Sequence, residues 1–585
     1  MLVVMQRAVQ RGVAFVAISV PLISAVNEPP SPTLLNQCAS IGLVGLWIAM
    51  LGAQGMRPSA RDIAGLLGVA LGLVGGIVVS HARGLPPSLA SNLWATSLAL
   101  AMAVCAGNSA GRDASAVTWF VDFAWALCLA GVINAAIGCI QVLAPGVPDG
   151  DWMARSSIAG RAVGNLRQPN HLASLGLWAL VAIVGLHELK AVRRAYAVVL
   201  MMVTLMGVVL SGSRTGLVGV FLLAGWGFFD GQLSRPARLA LRGAPILFLG
   251  LWLAAAAWAH LSAQTFGGEG HLLSEGGDIS SSRFAIWSNT LAMIAQEPLA
   301  GVGFGEFNIA WTLTAFPDRP VAFFDHTHNL VLQFLVELGI PLGSFTIALL
   351  CVALVVAWRK AWGSAGELGV AKRAAFMVVL MIGLHSLLEY PLWYAYFLLP
   401  TAFAWGFVLS SPPPSSVERG SWSAPNTRGS RTLAFAGLAM AIGAAAAVLD
   451  YWRVAVIYDP GDSSMPLEER IERGQRSPLF GHHADYAAAT AFGEPKAPLS
   501  PSQQLAFRRA PHQLLDVRLM IAWAQALAAE GELDKARWLA ARIREFRNPG
   551  SDEFFAPCQR AETAATAFQC QPPQRAVPWR EFIQR

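Results

Sequence analysis

The apolar residues of this chain come in runs near the ~20 residues that an α-helix needs to cross about 30 Å of hydrocarbon. Thirteen such runs lie at about 9–26, 33–52, 62–80, 89–106, 116–143, 171–188, 195–210, 215–230, 239–260, 329–357, 374–390, 391–410 and 432–449. Helices in soluble cores keep a polar face, and these runs do not. Composition agrees: 55% of the 585 residues are hydrophobic and 13% are charged, roughly half the charge of a typical soluble domain. The sequence predicts an all-α polytopic membrane protein with about 13 transmembrane helices. A net charge of +6 and a pI near 9.1 would suit nucleic acid. Lys and Arg cluster between the runs, however, as topology signals do, and no basic, aromatic-interleaved groove is present, so no nucleic-acid partner is expected. The run pairs meeting near 210–215 and 390–391 have almost no loop, so each is a tight hairpin or a broken helix.

With the N-terminus in the cytoplasm, eighteen Lys and Arg fall in inside loops. The outside loops before the tail hold seven: Arg83, Arg155, Arg161, Arg167, Arg214, Arg283 and Arg319. That asymmetry satisfies the positive-inside rule, and an odd span count places everything from Asp450 outside. The expected organisation is residues 1–160 as N-terminal spans and 161–410 as a membrane core that includes a long outside loop, 261–328. A Pro- and Ser-rich inside linker follows at 411–431, then an additional span at 432–449 and an outside helical domain at 450–585. Within that domain LLDVRLMIAWAQALAAEGELDKARWLAARIREF carries helical spacing around a Gly-Glu break, and it reads as an antiparallel helix pair similar to one tetratricopeptide-type unit. Cys558 and Cys570 are the two cysteines of the tail. An oxidising compartment predicts that they pair, and a reducing one leaves two thiols.

The most informative stretch is FFDHTHNLVLQFLVELGIPLG, residues 323–343, where the long loop meets the tenth span. His326 and His328 flank Thr327 and precede Asn329. An imidazole there is able to be neutral at neutral pH and to take a proton, which Lys and Arg cannot do. The alternatives are a capping or interfacial histidine, or a metal pair with Asp325. The metal reading lacks a third ligand, since no HExxH or CxxC motif and no carboxylate-rich helix is present.

Outside arginines form a second constellation. Arg214 lies in SGSRTG, Arg167 in GNLRQPNHLAS, and Arg283 opens SRFAIWSNTLAMIAQEPLAGVGFGEF. In that third segment Phe284, Ile286, Trp287, Leu291 and Ile294 form a broad apolar face suited to an interfacial helix. A guanidinium is permanently charged and matches phosphate oxygens with a planar fork, so several together suit a pyrophosphate. They could equally snorkel, or pair with Glu297, Glu306 or Asp325. Gln168, Asn170 and His171, at a QPN turn, either position substrate hydroxyls or cap the sixth span. Glu389, beside His385, Tyr390 and Trp393, is either functional or one half of a His385–Glu389 pair one turn apart.

Taken together, NLRQPNHLAS, SGSRTG, the run from Arg283 ending PLAGVGFGEF, and HTHNLVLQFLVELGIPLG resemble the O-antigen ligase and polymerase superfamily, and most closely its PglL-type protein O-oligosaccharyltransferases. The resemblance covers about residues 160–400. It implies a glycosyltransferase of the bacterial inner membrane that needs no metal or other cofactor. Such an enzyme faces the periplasm and moves a preassembled glycan from undecaprenyl pyrophosphate to a Ser or Thr of a periplasmic or pilin-like protein. In ligase relatives the acceptor is a sugar hydroxyl. His328, directly before Asn329 as in the family's His-Asn pattern, is implied as the general base, with His326 as alternate or orienting partner. Arg214, Arg283 and Arg167 are implied to neutralise the pyrophosphate, while Gln168, Asn170, His171, Asn329 and Trp287 position substrate. A transporter or lipid flippase would also use many spans, but it would carry internal repeats and ionisable residues near midspan. Here the polar residues concentrate at span ends and in one long loop.

Overall fold

In a computed structural model of the protein, which describes residues 2–268, 279–411 and 428–583, the greater part of every apolar run is α-helical. The first nine are α1 (Leu2–Ile23), α2 (Leu34–Ala53), α3 (Ala60–Ala82), α4 (Pro87–Gly111), α5 (Ala116–Leu143), α6 (Pro169–Glu188), α7 (Arg194–Leu210), α8 (Arg214–Phe229) and α9 (Arg235–Ser262). The shorter-looped stretch that follows holds α10 (Ile279–Gln296) and α11 (Phe307–Leu313), and then come α12 (Leu330–Gly363), α13 (Gly366–Ser386), α14 (Ala395–Val408) and α15 (Arg428–Tyr458). Among the described residues there is no strand, only an isolated bridge between Glu28 and Ser31. Residues 412–427 of the expected linker and 269–278 of the expected long loop lie outside the described residues.

Among the described residues nine helices are long and apolar enough to cross a membrane, so the chain is a multi-pass membrane protein. The other four apolar runs form shorter helices: Val9–Ile23 within α1, together with α7, α8 and α14. Helices α7 and α8, of 17 and 16 residues, extend about 25 Å at 1.5 Å per residue, less than the hydrocarbon thickness. The break between them is a tight hairpin. Gly216 near the start of α8 leaves room for both Ala173 of α6 and Val208 near the end of α7, so the two helix ends lie side by side against α6. The run pair near 390 is likewise two helices, α13 and α14, packed on each other across a turn that includes a 3-10 segment, Pro391–Trp393.

The chain divides into two compact units. The first comprises residues 1–68, 98–275 and 349–446. Its centre is α6, buried along nearly its whole length and surrounded by α5, α7, α8 and α13. A helix that is apolar all round needs such a setting. At one end of the bundle Arg373 of α13 donates from Nε to Asp230 Oδ2 at 2.9 Å, with both side chains almost fully buried, and Trp226 Nε1 donates to the same oxygen at 3.0 Å. At the other end the segment 144–168 is ordered by amide side chains of α5. Gln141 accepts from the backbone amides of Val163 and Gly164, each at 2.9 Å, and Asn134 accepts from that of Asn165 at 2.9 Å.

The second unit comprises residues 69–97, 276–348 and 447–585. Here α12 is broken at Gly339, whose φ of +76° belongs to the left-handed side that glycine tolerates. Two residues on, Pro341 has no amide donor. The loop PLAGVG docks into this break: Val302 N–H donates to Val336 O at 2.8 Å, Gly303 N–H to Glu337 O at 3.1 Å, and Ile340 N–H to Pro298 O at 2.7 Å. These bonds satisfy carbonyls that the broken helix would otherwise leave open. A Cβ on Gly339 would lie 2.5 Å from the Leu299 carbonyl oxygen, so the position admits no other residue without the loop moving.

In the tail, of α16 (Leu467–Gln475), α17 (Gly481–Thr490), α18 (Pro501–Arg509), α19 (Val517–Ala529) and α20 (Leu533–Phe546), α17 packs on α16, α18 and α19, and α19 packs on α20. The helix pair expected from the sequence is α19 and α20, with Asp516 capping α19 by accepting from Leu519 N–H at 2.9 Å. The three helices before it are too short and too polar to have been read from periodicity. Cys558 and Cys570 are joined in a disulfide across a separation of 12 residues. In the chain-entropy account a loop of that size stabilises by about 3 kcal/mol. The double variant Cys558→Ser, Cys570→Ser is therefore expected to melt earlier than the parent, and the unreduced parent to gain the mass of two hydrogens on reduction.

Candidate functional site

The first cluster belongs to the first unit and gathers where α6 begins. Arg167 takes a left-handed φ of +58° to close the turn before Gln168, the N-cap residue, and Pro169 at the first helical position. Asn170 does not cap α6, contrary to one reading of the sequence. Its Nδ2 donates to Glu389 Oε1 at 3.0 Å, and its Oδ1 accepts from Ser213 Oγ at 2.7 Å. Ser213 in turn accepts from Gly216 N–H at 3.1 Å and caps α8, whose first residue is Arg214. One directed chain of hydrogen bonds thus runs from a carboxylate through an amide to the helix end that carries Arg214. His385 Nδ1 lies 2.7 Å from Ser174 Oγ, so α6 meets α13 through a histidine as well. His171 is buried with its ring 4.6 Å from that of Tyr394 and 5.1 Å from that of Phe397, both edge-on.

Two arginines of this unit hold backbone. Arg167 donates to the Ala25 carbonyl, and burial lowers its pKa while leaving it charged. Arg161, counted in the sequence only as a topology signal, is buried and donates from Nε to Ser211 O at 2.9 Å, locking the hairpin turn that precedes Arg214.

The second cluster belongs to the second unit. Asn329 precedes α12, and its Oδ1 accepts from the amides of Val331 and Leu332, each at 3.1 Å, which makes it that helix's cap. Thr327 is fully buried; its N–H donates to Gln333 Oε1 at 2.8 Å and its Oγ1 to Asn329 O at 2.8 Å. Between these two fixed residues His328 adopts a φ of +54° and sets its ring against Phe324, centroids 5.2 Å apart and nearly perpendicular. A left-handed conformation costs a non-glycine residue about 1–2 kcal/mol and persists only where the surroundings over-determine it. His326 Nδ1 lies 3.1 Å from Asp325 Oδ1. Partial burial by itself would raise the Asp325 carboxyl, but the charge of His326, a hydrogen bond from it and the charge of His328 bring it down to about 2. Asp325 is therefore a fixed anion at every pH near neutrality.

α10 is tied to the same loop: Trp287 Nε1 donates to Thr327 O at 2.9 Å. Arg283 lies one turn earlier on the same face of α10 as Trp287. Along the apolar face expected for α10, Ile286 and Ile294 are buried in the protein, whereas Phe284 and Leu291 are exposed. Of the carboxylates named beside the arginines, Glu297 pairs with Arg580, Glu306 with His512, and Asp325 with His326. Among the described residues no group of three His, Cys, Asp or Glu converges as a metal site would.

Three families match this chain in sequence order. Residues 162–186, the first-cluster turn and α6, match the family described as protein glycosylation ligase. Residues 197–347, which include Arg214, Arg283 and both loop histidines, match the O-antigen ligase family. Residues 373–555 match the C-terminal part of the virulence factor membrane-bound polymerase family. Over these segments the chain is similar to the O-antigen ligase superfamily. Similar proteins in Acinetobacter baylyi include a general O-oligosaccharyltransferase, 26% identical over 54% of this chain and 56% of the relative. A ComP-specific O-oligosaccharyltransferase from the same organism is 24% identical over 46% of this chain and 47% of the relative. The chain thus spans about half the length of the curated relatives it matches. Sequence reasoning missed Ser213, although a serine directly before an apolar run is an N-cap signal. It also missed Arg161, Asn308 and Arg319, whose partners are set by tertiary structure.

Proposed function

We propose that the protein transfers a preassembled glycan from undecaprenyl pyrophosphate to a Ser or Thr hydroxyl of periplasmic or pilin-like proteins, at the periplasmic face of the bacterial inner membrane. His328 takes the acceptor's hydroxyl proton as the oxygen attacks the anomeric carbon. The bond from that carbon to the pyrophosphate oxygen breaks with inversion, and the lipid pyrophosphate leaves as an anion. Arg214 and Arg283, with Arg167, oppose the developing charge, and fixed cations do this without reorganising at the moment of reaction. His326, held by Asp325, orients its neighbour. The observation that carries the proposal is the Trp287–Thr327 hydrogen bond, which joins the helix of Arg283 to the histidine loop.

A second reading, transfer to a sugar hydroxyl, is favoured by the O-antigen ligase and polymerase matches at 197–347 and 373–555. Purified protein, a lipid-linked glycan and a Ser-containing pilin-like acceptor separate the two. Glycopeptide in the mass spectrum is the expected product. Extension of core or repeat sugars without glycopeptide would transfer support to the second reading.

A further inference from the structure

All seven residues of α11 are buried, although the helix sits in a loop between longer elements. Its cover is the tail. Leu515 N–H donates to Asn308 Oδ1 at 2.8 Å, Trp538 Nε1 donates to Leu313 O at 2.8 Å, and the ring of Phe546 stands edge-on to Trp311 at 5.8 Å. His512 Nδ1 meets the Glu306 carboxylate at 2.8 Å just before the helix, with both side chains buried. On its other side α11 touches the histidine loop. Asn308 Nδ2 donates to Phe324 O at 3.1 Å, and the Trp311 and Phe324 rings meet edge-on at 5.9 Å. Phe324 is the ring on which His328 rests.

The Asn308 amide can be oriented in only one way, because Leu515 presents a donor and Phe324 an acceptor. One side chain therefore spans tail and loop. Arg319 stiffens the joint: 1% exposed, it donates to Glu545 Oε2 at 2.7 Å and to the carbonyls of Trp311, Thr312 and Thr314, and it lies over the Trp311 and Phe546 rings at 4.6 and 5.0 Å. A buried cation so held resists displacement, since losing Glu545 would strand its charge.

We propose that the C-terminal helical region positions His328, acting through Asn308 and Trp311 on Phe324, an inference that rests on His328 being the base. Asn308 and Trp311 are positioning residues. The tail is then part of the transfer machinery and more than an appendage to the membrane core.

The test uses the full-length protein in nanodiscs. Asn308→Asp keeps the acceptor for Leu515 N–H but removes the donor to Phe324, so it severs the loop side of the bridge alone. Phe546→Leu loosens the contact with Trp311 from the tail side and serves where Asn308→Asp fails to fold. Two readouts are taken: steady-state transfer, and the rate at which diethyl pyrocarbonate labels His328 in the absence of substrate, resolved by peptide mass spectrometry with His260 as reference. The expected result is faster labelling of His328 against unchanged His260, with kcat lowered 10–10²-fold at unchanged acceptor KM. Unchanged His328 labelling in both variants overturns the inference, whatever happens to activity. Faster labelling with parental kcat upholds the joint and removes His328 as the base, so the two failures are told apart.

Discussion

Glycan transfer by the His328→Ala variant falls about 10²–10⁴-fold, the range that positioned general-base catalysis supplies, while expression and melting stay near those of the parent. The backbone at this position permits a sharper control than alanine alone. His328 holds a φ of +54°, a conformation that alanine tolerates poorly and glycine adopts freely. His328→Gly is therefore expected to be as inactive as His328→Ala yet more stable by about 1 kcal/mol, read as a higher melting midpoint. If the glycine variant retains parental turnover, proton transfer at this site belongs to another group, and His326 becomes the first candidate.

Arg214→Lys and Arg283→Lys each keep the charge and lose the planar fork. A charge-assisted hydrogen bond contributes about 1.5–3 kcal/mol, so each variant is expected to lose roughly 10–10²-fold in transfer. The comparison is a Lys-for-Arg change at an exposed tail position such as Arg575, which sits in a surface pair with Glu581 and should be silent. The double variant decides whether both arginines serve one leaving group. Side chains that act on a shared partner couple by about 0.5–3 kcal/mol, whereas independent sites add. Strict additivity of the two losses would separate Arg214 from Arg283 functionally and dissolve the phosphate clamp.

Much of this was legible in the primary structure because it depends on local pattern. Apolar run length located the nine helices that are long and apolar enough, among the described residues, to cross a membrane, a Gly-Glu break located the turn between α19 and α20, and the HTHN stretch did fall directly before a helix, where Asn329 caps it. The break in α12 at Gly339 went unread, as did the loop that fills it, although a glycine two residues before a proline is a breaker signal. What stayed hidden depends on partners far apart in the chain. Asn170 and Glu389 are 219 residues apart, Glu306 and His512 are 206 apart, and Arg319 and Glu545 are 226 apart. No periodicity encodes such pairs. The division of α10 into an inward and an outward apolar face was equally invisible, because it follows from what packs against the helix and not from its own spacing.

The pair between Asp230 and Arg373 has a consequence for biogenesis. Asp230 closes α8, while its cation arrives 143 residues later. A ribosome that has released α8 has therefore delivered a carboxylate whose counter-ion is still unsynthesised, and burying that group alone would cost about 3–5 kcal/mol. The end of α8 can settle into its final depth only after α13 has been made. A nascent chain halted between the two carries an unneutralised acid, and in that state the bundle stays incomplete.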